Sequence, residues 1–384
     1  MRLRAGGGDL IAAAVAPVLL IVVAFPLAFV VLQAIFPELG RGSLAGPFGG
    51  VVATLSDPRL PVWTANSAML GVCVALASAA VALPLGFIRG LFRVPGAGLW
   101  DMLFLIPFAI PPYIAALGWI MTLQPRGYLQ QLTGVHLGPF LFSFPGVVFV
   151  MTLNVFPVIY FAVSRTVAAI GARYEEAARV CGASPAAAFR RVTLPLSIPA
   201  VAASLLLVFA MAIEEFGTPY VLASRSSFTV LVTGIERKLS DFPIDLPGAA
   251  TLSLILMALA ASAFFLQLRI VARTDVQTVA GKPRRAAPRA LGPWTAPALG
   301  LFALIALVGT AAPVAAVLAT GATRTISGGL AWDNVSPVHF QAILADRAGA
   351  MAALRTSLSL GVGAALATAV LGALTAYVVV GGRP

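Results

Sequence analysis

Eight long apolar runs constrain this chain more than any other feature of its sequence. A helix that crosses the hydrocarbon core of a bilayer needs about 20 mostly apolar residues. Runs of that length lie at residues 10–36, 63–88, 99–123, 144–164, 196–221, 247–270, 294–320 and 356–380. Because 60% of the residues are hydrophobic, only 10% are charged and the mean hydropathy is +0.97, a soluble globule is excluded. The sequence predicts an all-α polytopic membrane protein with about eight transmembrane helices.

The basic residues predict how these spans are oriented. With the N-terminus in the cytoplasm, 16 of the 25 lysines and arginines and 5 of the 14 acidic residues fall on the cytoplasmic side. That face then carries the whole net charge of +11, and the outer face carries none. An excess of lysine and arginine in cytoplasmic loops is what orients polytopic membrane proteins. The charge therefore reports topology and gives no support to a nucleic-acid partner.

A polar, basic stretch at residues 173–195 interrupts the apolar pattern on the predicted cytoplasmic side. We expect a short helix from Arg173 to Cys181, ended by Gly182, because glycine turns the chain without a steric cost. Ser184 has the character of an N-cap with Pro185 at the first position of a second helix, which should run to about Val192. We call residues 173–195 the foot. Its small residues favour close approach by another protein; an ordinary amphipathic surface loop is the alternative.

The third and fifth runs contain residues that interrupt a helix. Pro107, Pro111 and Pro112 must break or kink the third span, and the carbonyls they free need burial in protein or a wet cavity. This break is either a packing kink or a hinge in the wall of a pathway. The fifth span should begin at Pro195 and Pro199.

The fifth span ends in Glu214-Glu215-Phe216-Gly217. Intramembrane acids are candidates for function, so these carboxylates make a structural or gating contact or bind a cation directly. We expect Gly217 and the following Pro219 to end the helix near the outer interface.

Other sequence signals exclude several kinds of site. The stretch before Lys282 lacks the glycine-rich spacing of a P-loop, so the sequence predicts that any ATP hydrolysis belongs to a partner. His136 and His339 lie in separate outer loops, and two cysteines are too few for a metal site. We therefore expect no catalytic residue, no resident metal and no bound cofactor in this chain.

The second and eighth runs are related by an internal repeat. At an offset of 290 residues, Asn66–Ile88 aligns with Thr356–Val378 without gaps, and eight of the 23 pairs are identical. The sequence thus divides into a six-span unit at 1–270, a basic cytoplasmic linker at 271–293 and the first two spans of a second unit at 294–384. We expect the chain to be a truncated form of a fused two-unit protein.

The foot resembles the loop with which binding-protein-dependent ABC importer permeases dock onto their ATPase. The matching residues are Glu176, Ala177, Ala178, Gly182, Val192, Leu194 and Pro195, in the pattern E-A-A-x3-G-x9-I-x-L-P with valine in place of the more usual isoleucine. The resemblance implies that Glu176 is a polar anchor and that Ala177 and Ala178 form a close-packing face. It implies further that Gly182 fixes the turn and that Leu194-Pro195 makes a rigid joint to the fifth span.

Three further features resemble the fused double permeases of the ferric-iron importer group. They are Ile110-Pro-Pro-Tyr113 in the third span, Glu215-Phe-Gly-Thr218 after the fifth, and Thr278–Lys282 in the linker. The resemblance implies a multi-pass protein of the bacterial inner membrane in contact with lipid, a periplasmic substrate-binding protein, and a cytoplasmic ABC ATPase dimer that holds ATP and Mg²⁺. It favours ferric iron as substrate; thiamine, phosphonate and polyamine are alternatives.

A secondary transporter driven by an ion gradient is the alternative from a different class. Such proteins carry ionisable residues near the midpoints of their spans. The central thirds of the spans here are almost free of charge, which counts against this class.

Overall fold

The computed structural model describes residues 7–223, 228–272, 289–345 and 349–381. Within these ranges seven helices are long and apolar enough to cross a membrane, and one sharply bent helix pair makes an eighth. The prediction of an all-α polytopic protein with about eight spans is confirmed. The spans are Ile11–Ile35, Leu60–Leu91, the bent pair Ala97–Ala109 and Pro112–Thr133, Phe144–Ile170, Pro185–Glu214, Leu246–Ile270, Gly292–Gly321 and Ala350–Val379.

The helices alternate between these long spans and short connecting segments. In chain order they are α1 Gly7–Leu19, α2 Phe25–Ile35, α3 Gly49–Leu55, α4 Leu60–Leu91, α5 Ala97–Ala109, α6 Pro112–Leu123, α7 Tyr128–Thr133, α8 Gly138–Leu141, α9 Phe144–Val180, α10 Pro185–Ala188, α11 Leu194–Glu214, α12 Gly217–Ala223, α13 Leu231–Ser240, α14 Leu246–Ala272, α15 Thr295–Ala306, α16 Ala312–Gly321, α17 Val338–Leu344 and α18 Ala350–Gly381. Single π-helical turns at Leu20–Ala24, Phe189–Thr193 and Leu307–Ala311 join α1 to α2, α10 to α11 and α15 to α16.

Helices α4, α9 and α11 form the centre of the bundle. Glycines bring α4 close to α9: a Cβ on Gly90 would lie 2.8 Å from the Val167 side chain, and one on Gly86 would lie 3.1 Å from the Val163 side chain. Large aromatic side chains fill the space between α9, α5 and α15, where Phe104 packs against Phe156, Tyr160 and Phe302. Because these rings are fully buried, the seventh span is an integral part of the core.

The seventh span also makes close contacts with the segment from α6 to α7. Tyr128 and Thr320 share a hydrogen bond of 2.8 Å between their hydroxyls. A Cβ on Gly118 would lie 2.7 Å from the Pro313 carbonyl oxygen, so glycine is needed for α6 to approach α16 this closely. At the predicted cytoplasmic end, β1 (Phe92–Arg93) pairs in parallel with β2 (Arg289–Ala290). Most of the predicted linker, including Thr278–Lys282, lies outside the described residues.

The eighth span repeats the second in length but not in surroundings. Helix α18 (Ala350–Gly381) and α4 (Leu60–Leu91) both have 32 residues, and their ends differ by the 290 residues of the sequence repeat. No residue in the most apolar stretch of α18 is buried, whereas 44% of the corresponding stretch of α4 is buried. Among the described residues α18 contacts α1 and α17. Its glycines Gly361, Gly363 and Gly372 have open space where a side chain would lie.

Candidate functional site

The turn of the foot forms as the sequence predicts. Gly182 adopts φ +86°, a conformation that costs glycine little, and the Ala183 amide donates to the Ala178 carbonyl across the end of α9 at 2.9 Å. The Ser184 hydroxyl then accepts a hydrogen bond from the Ala187 amide at 3.2 Å, with Pro185 at the first helical position. The predicted C-terminal glycine turn and N-cap are therefore both confirmed.

The two helices that meet at this turn are much longer than predicted. The expected helix from Arg173 to Cys181 is the end of α9, a continuous helix of 37 residues that begins at Phe144. No proline interrupts it below Pro157, and the single Gly171 costs only about 1 kcal/mol relative to alanine. The foot is therefore a direct extension of the fourth span.

The fifth span also begins earlier than expected. The prediction that Pro195 and Pro199 open this span is wrong, because a helix runs from Pro185 through a π-helical turn at Phe189–Thr193 into α11. Pro195 is accommodated in the first turn of α11, where a missing amide is tolerated. Val192 is half-buried in the π-helical turn, Leu194 is exposed and Pro195 half-buried. The predicted joint at Leu194-Pro195 is thus the first turn of α11, which directly follows the π-helical turn within one continuous helical span.

The foot is anchored to the bundle and presents apolar side chains on its outer side. The Phe189 ring packs edge-on against Phe87 of α4 with centroids 5.2 Å apart, and Ala188 is fully buried. Val180, at the tip, is 89% exposed. The side chains of Glu176 and Ala177 lie outside the described residues, and Ala178 is half-buried. The tip of the foot is therefore exposed, while its base is packed against α4.

The third span is broken where the prolines predict. Helix α5 ends at Ala109, α6 begins at Pro112, and the two halves are bent by 99°. Proline has no amide hydrogen, so Pro107 leaves the Leu103 carbonyl without its helical partner and Pro111 leaves that of Pro107. The Thr310 hydroxyl donates to the Leu103 oxygen at 2.7 Å, and the Asn154 amide donates to the Pro107 oxygen at 2.5 Å.

These two donors satisfy the carbonyls that the prolines leave without helical partners. Both donors are buried and come from other spans, Asn154 from the fourth and Thr310 from the seventh. Asn154 lies 3.4 Å from a second carbonyl, that of Ile110 at the break itself. A cavity of about 140 Å³ adjoins the break, but its lining is almost entirely apolar, with Trp119 and Pro313 among its residues. Protein side chains rather than a wet cavity therefore satisfy both carbonyls.

The end of the fifth span contacts the start of α6. Helix α11 stops at Glu214, which is exposed, and both Glu215 carboxylate oxygens lie 3.0 Å from the Thr218 amide that donates to them. Glu215 thus caps the short helix α12. A Cβ on Gly217 would lie 3.0 Å from that of Tyr113, so α12 requires glycine to rest against the first turn of α6. Phe216 is exposed and stacks on Tyr220 with centroids 4.8 Å apart.

The predicted pathway residues are therefore brought together, but the foot is not among them. Pro112 and Gly217 belong to contacting segments, whereas the foot lies at the far ends of α9 and α11. The hydrogen bond from the Thr218 amide to the Glu215 carboxylate supports a structural role for Glu215 over direct cation binding. Within the described residues, no group of three metal-ligating side chains is found.

Sequence reasoning missed three residues that hold the base of the third span. Arg89 of α4 pairs with Asp101 of α5 at 2.8 Å and 3.2 Å, and the Tyr160 hydroxyl of α9 donates to the same carboxylate at 2.6 Å. Asn154 was missed as well. The signal was present, since an asparagine in the middle of an apolar span and an acid at the start of another are costly unless they have partners.

A polar cavity of about 720 Å³ opens at the opposite end of the bundle. It lies between the ends of α2, α4, α13 and α14, and oppositely charged side chains line it. Lys238 pairs with Asp245 at 2.6 Å, and Arg59 pairs with Asp57 at 3.1 Å while lying 5.5 Å from the Trp63 ring. The hydrogen bond from the Arg59 side chain holds the pKa of Asp57 below its usual value.

Known proteins are similar to this chain in sequence and fold over part of its length. Residues 82–276 match the sequence model of a family described as binding-protein-dependent transport system inner membrane component. A ferric transport system permease protein of Actinobacillus pleuropneumoniae is 26% identical over 223 residues, which cover 57% of this chain and 31% of that protein. A molybdenum transport system permease protein of Escherichia coli strain K12 is 28% identical over 212 residues, covering 54% and 90%.

A solved structure agrees with the fold. The crystal structure of a bacterial alginate ABC transporter in complex with an alginate pentasaccharide-bound periplasmic protein contains a chain with a TM-score of 0.56. It is 18% identical and the match covers 70% of this chain and 96% of that one, which shows the fold alone. The aligned part of this chain spans about a third of the length of the ferric relatives. The matched region includes the foot, α9 and α11.

Proposed function

Because this chain belongs to the family of binding-protein-dependent transport system inner membrane components, we propose that it is the membrane subunit of an ATP-driven importer. Substrate would arrive from a periplasmic binding protein, and a separate cytoplasmic ATPase dimer would bind ATP and Mg²⁺. The observation that carries this proposal is the foot, in which two long helices meet at a glycine turn with an exposed apolar tip.

The geometry of the foot suits the transmission of force. Helix α9 continues without a break from Ile170 to Val180, which is about 15 Å at 1.5 Å per residue. A rigid helix seated in a cleft of the ATPase would transmit the displacement that accompanies ATP binding, whereas a flexible loop would absorb it. In this proposal Glu176 is the polar anchor, and Ala177 and Ala178 are the close-packing face. Transport is then a shift between inward-open and outward-open packings of the spans.

We further propose that ferric iron is the cargo. The support is the similarity to ferric permeases together with the Ile110–Tyr113 and Glu215–Thr218 segments, which contact one another in this structure. The similar molybdenum permease makes a metal oxyanion the second candidate. Uptake of radiolabelled iron by the assembled transporter, with molybdate as competitor, distinguishes them: competition by molybdate would overturn the iron assignment.

The second unit is also part of the proposal. Helix α18 reproduces the length and end positions of α4 at the repeat offset. A short helix also precedes each of them, α3 (Gly49–Leu55) before α4 and α17 (Val338–Leu344) before α18. We propose that residues 294–384 correspond to the first two spans of the six-span unit at 1–270.

The docking role is tested in the assembled transporter with binding protein and ATPase present. Gly182→Val forces a β-branched residue into positive φ, and Ala177→Asp places a charge on the proposed close-packing face. Both variants should insert into the membrane normally but lose uptake and co-purification of the ATPase. Wild-type uptake by either variant would refute the docking role.

A separate measurement tests the transporter class. Uptake that stops on ATP depletion and survives an uncoupler supports the importer. The reverse result would indicate a carrier driven by an ion gradient.

A further inference from the structure

Helix α9 touches the broken third span at two points and ends in the foot. Tyr160 donates to Asp101 near the start of α5, and Asn154 donates to the Pro107 carbonyl near its end. From Tyr160 to Val180 there are 20 residues, or about 30 Å of helix. The third span is thus held at both ends of α5 by the helix that carries the foot.

The lower contact is rigidly linked to the foot. No proline lies between Tyr160 and Val180. Tyr160 is fully buried, and the Asp101 carboxylate that accepts its hydrogen bond is also paired with Arg89. A hydrogen bond to a charged group in a buried setting is stronger than a neutral one and resists separation. A displacement of the lower part of α9 would therefore carry the base of α5 with it.

The upper contact lies on the other side of a proline. Pro157 stands between Asn154 and Tyr160, and kinks in helices occur at proline. Asn154 is buried, and its amide reaches the Pro107 carbonyl at 2.5 Å and that of Ile110 at 3.4 Å. The part of α9 above Pro157 thus holds the top of α5 at the break, and the proline separates this contact from the one below.

We propose that α9 is the lever that makes the third span bend when the foot moves, with Tyr160 and Asn154 as its positioning residues. The lower arm draws the base of α5 through Asp101, while Asn154 holds the top of α5 beside Pro111. Bending is then concentrated at Ile110-Pro111, where α5 already turns into α6, two residues before the contact of Tyr113 with Gly217. This inference rests on the proposed ATP-driven import.

The chain offers a matched control for Tyr160→Phe. Tyr128→Phe removes the same hydroxyl and one hydrogen bond of similar length, that to Thr320, but Tyr128 lies on α7 rather than on the helix that carries the foot. In proteoliposomes with ATPase and binding protein, Tyr160→Phe should lower uptake about tenfold, which is the scale of one lost hydrogen bond to a charged group. ATP hydrolysis should stay within about twofold of wild type. Tyr128→Phe should leave both rates near wild type.

A second pair of variants tests the upper contact. Asn154→Leu and Thr310→Val each remove a donor to a carbonyl that proline has freed in α5, but only Asn154 belongs to α9. Uptake should fall relative to ATP hydrolysis in Asn154→Leu and not in Thr310→Val. If one of Tyr160→Phe and Asn154→Leu fails to reach the membrane, the remaining variant tests the proposal. An equal ratio of uptake to ATP hydrolysis in that variant and in its control would overturn the lever.

Distances between spin labels give a readout that a merely structural role would not move. With Cys73 and Cys181 replaced by serine, labels at Ala168→Cys on α9 and Leu99→Cys on α5 occupy exposed positions. Without Tyr160→Phe, the distance between the labels should be the same in the nucleotide-free and ATP-trapped states. With Tyr160→Phe, the distance should differ between these two states. A separation that changes equally with and without Tyr160→Phe would contradict the lever. Absence of ATP-driven uptake by the wild type would instead refute the proposed function.

Discussion

Gly71 and Gly361 stand at equivalent positions of the repeat but have opposite surroundings. A Cβ on Gly71 would lie 2.6 Å from the Ile213 Cγ2 atom and 2.7 Å from the ring of Phe209, both on α11. Ile213 is buried, so its side chain has little room to move away. A Cβ on Gly361 would have no atom of the described residues within 4 Å. The same substitution at the two sites therefore separates packing from helix propensity.

Gly71→Ala should destabilise the protein and Gly361→Ala should not. Carbon atoms in favourable contact are about 3.5–4.0 Å apart, so the new methyl at residue 71 is about 1 Å too close to two side chains. Overpacking of this kind costs about 1–3 kcal/mol, because α4 and α11 must separate. At residue 361 the methyl meets no neighbour, and alanine is the better helix former by about 1 kcal/mol.

Thermal unfolding of the purified protein in detergent, followed by size-exclusion chromatography after heating, measures the difference. One kcal/mol corresponds to about 2–4 °C in a chain of this order of size, so the midpoint for Gly71→Ala should fall by about 2–12 °C. The midpoint for Gly361→Ala should stay or rise. Equal shifts in the two variants, or an unchanged midpoint for Gly71→Ala, would refute the assignment of α4 as a core helix and of α18 as an unpacked one.

Two other substitutions test the break and the acidic cap. Thr310→Val keeps the side-chain shape but leaves the Leu103 carbonyl without a donor, and it should cost about 1–3 kcal/mol in thermal unfolding; a neutral effect would mean that water replaces the hydroxyl. Glu215→Gln keeps an oxygen that can accept from the Thr218 amide, so uptake should stay within about twofold of wild type. Loss of uptake with a normal melting temperature would instead support direct cation binding at Glu215.

The local features of the foot could be predicted because they depend on neighbouring residues. A glycine after a helix, a serine three residues before a free amide and a proline at the first helical position act within one turn of chain. The lengths of the flanking helices could not be predicted in this way. Whether Pro195 begins a helix or lies inside one depends on the π-helical turn before it, and that turn is supported by the packing of Phe189 on Phe87.

The broken third span likewise has one feature that the local sequence predicts and one that depends on distant residues. Three prolines within six residues require a break wherever the chain folds, because they remove amides and restrict the preceding backbone. They do not identify which groups replace those amides. The donors are Asn154 and Thr310, which are 44 or more residues away in the chain, and their contacts exist only once the fourth and seventh spans pack against α5.

By itself the sequence determined what depends on the solvent and on the local backbone: the number of spans, their apolar lengths, the turn at Gly182 and the break at Pro111. These follow from the cost of placing polar groups in a bilayer and from the stereochemistry of glycine and proline. Only the tertiary structure decided which helix covers each glycine. Gly71 and Gly361 are glycines at equivalent positions of the repeat, yet α11 packs on the first and no described residue packs on the second. Close packing depends on the neighbour, and a repeat does not specify its neighbour.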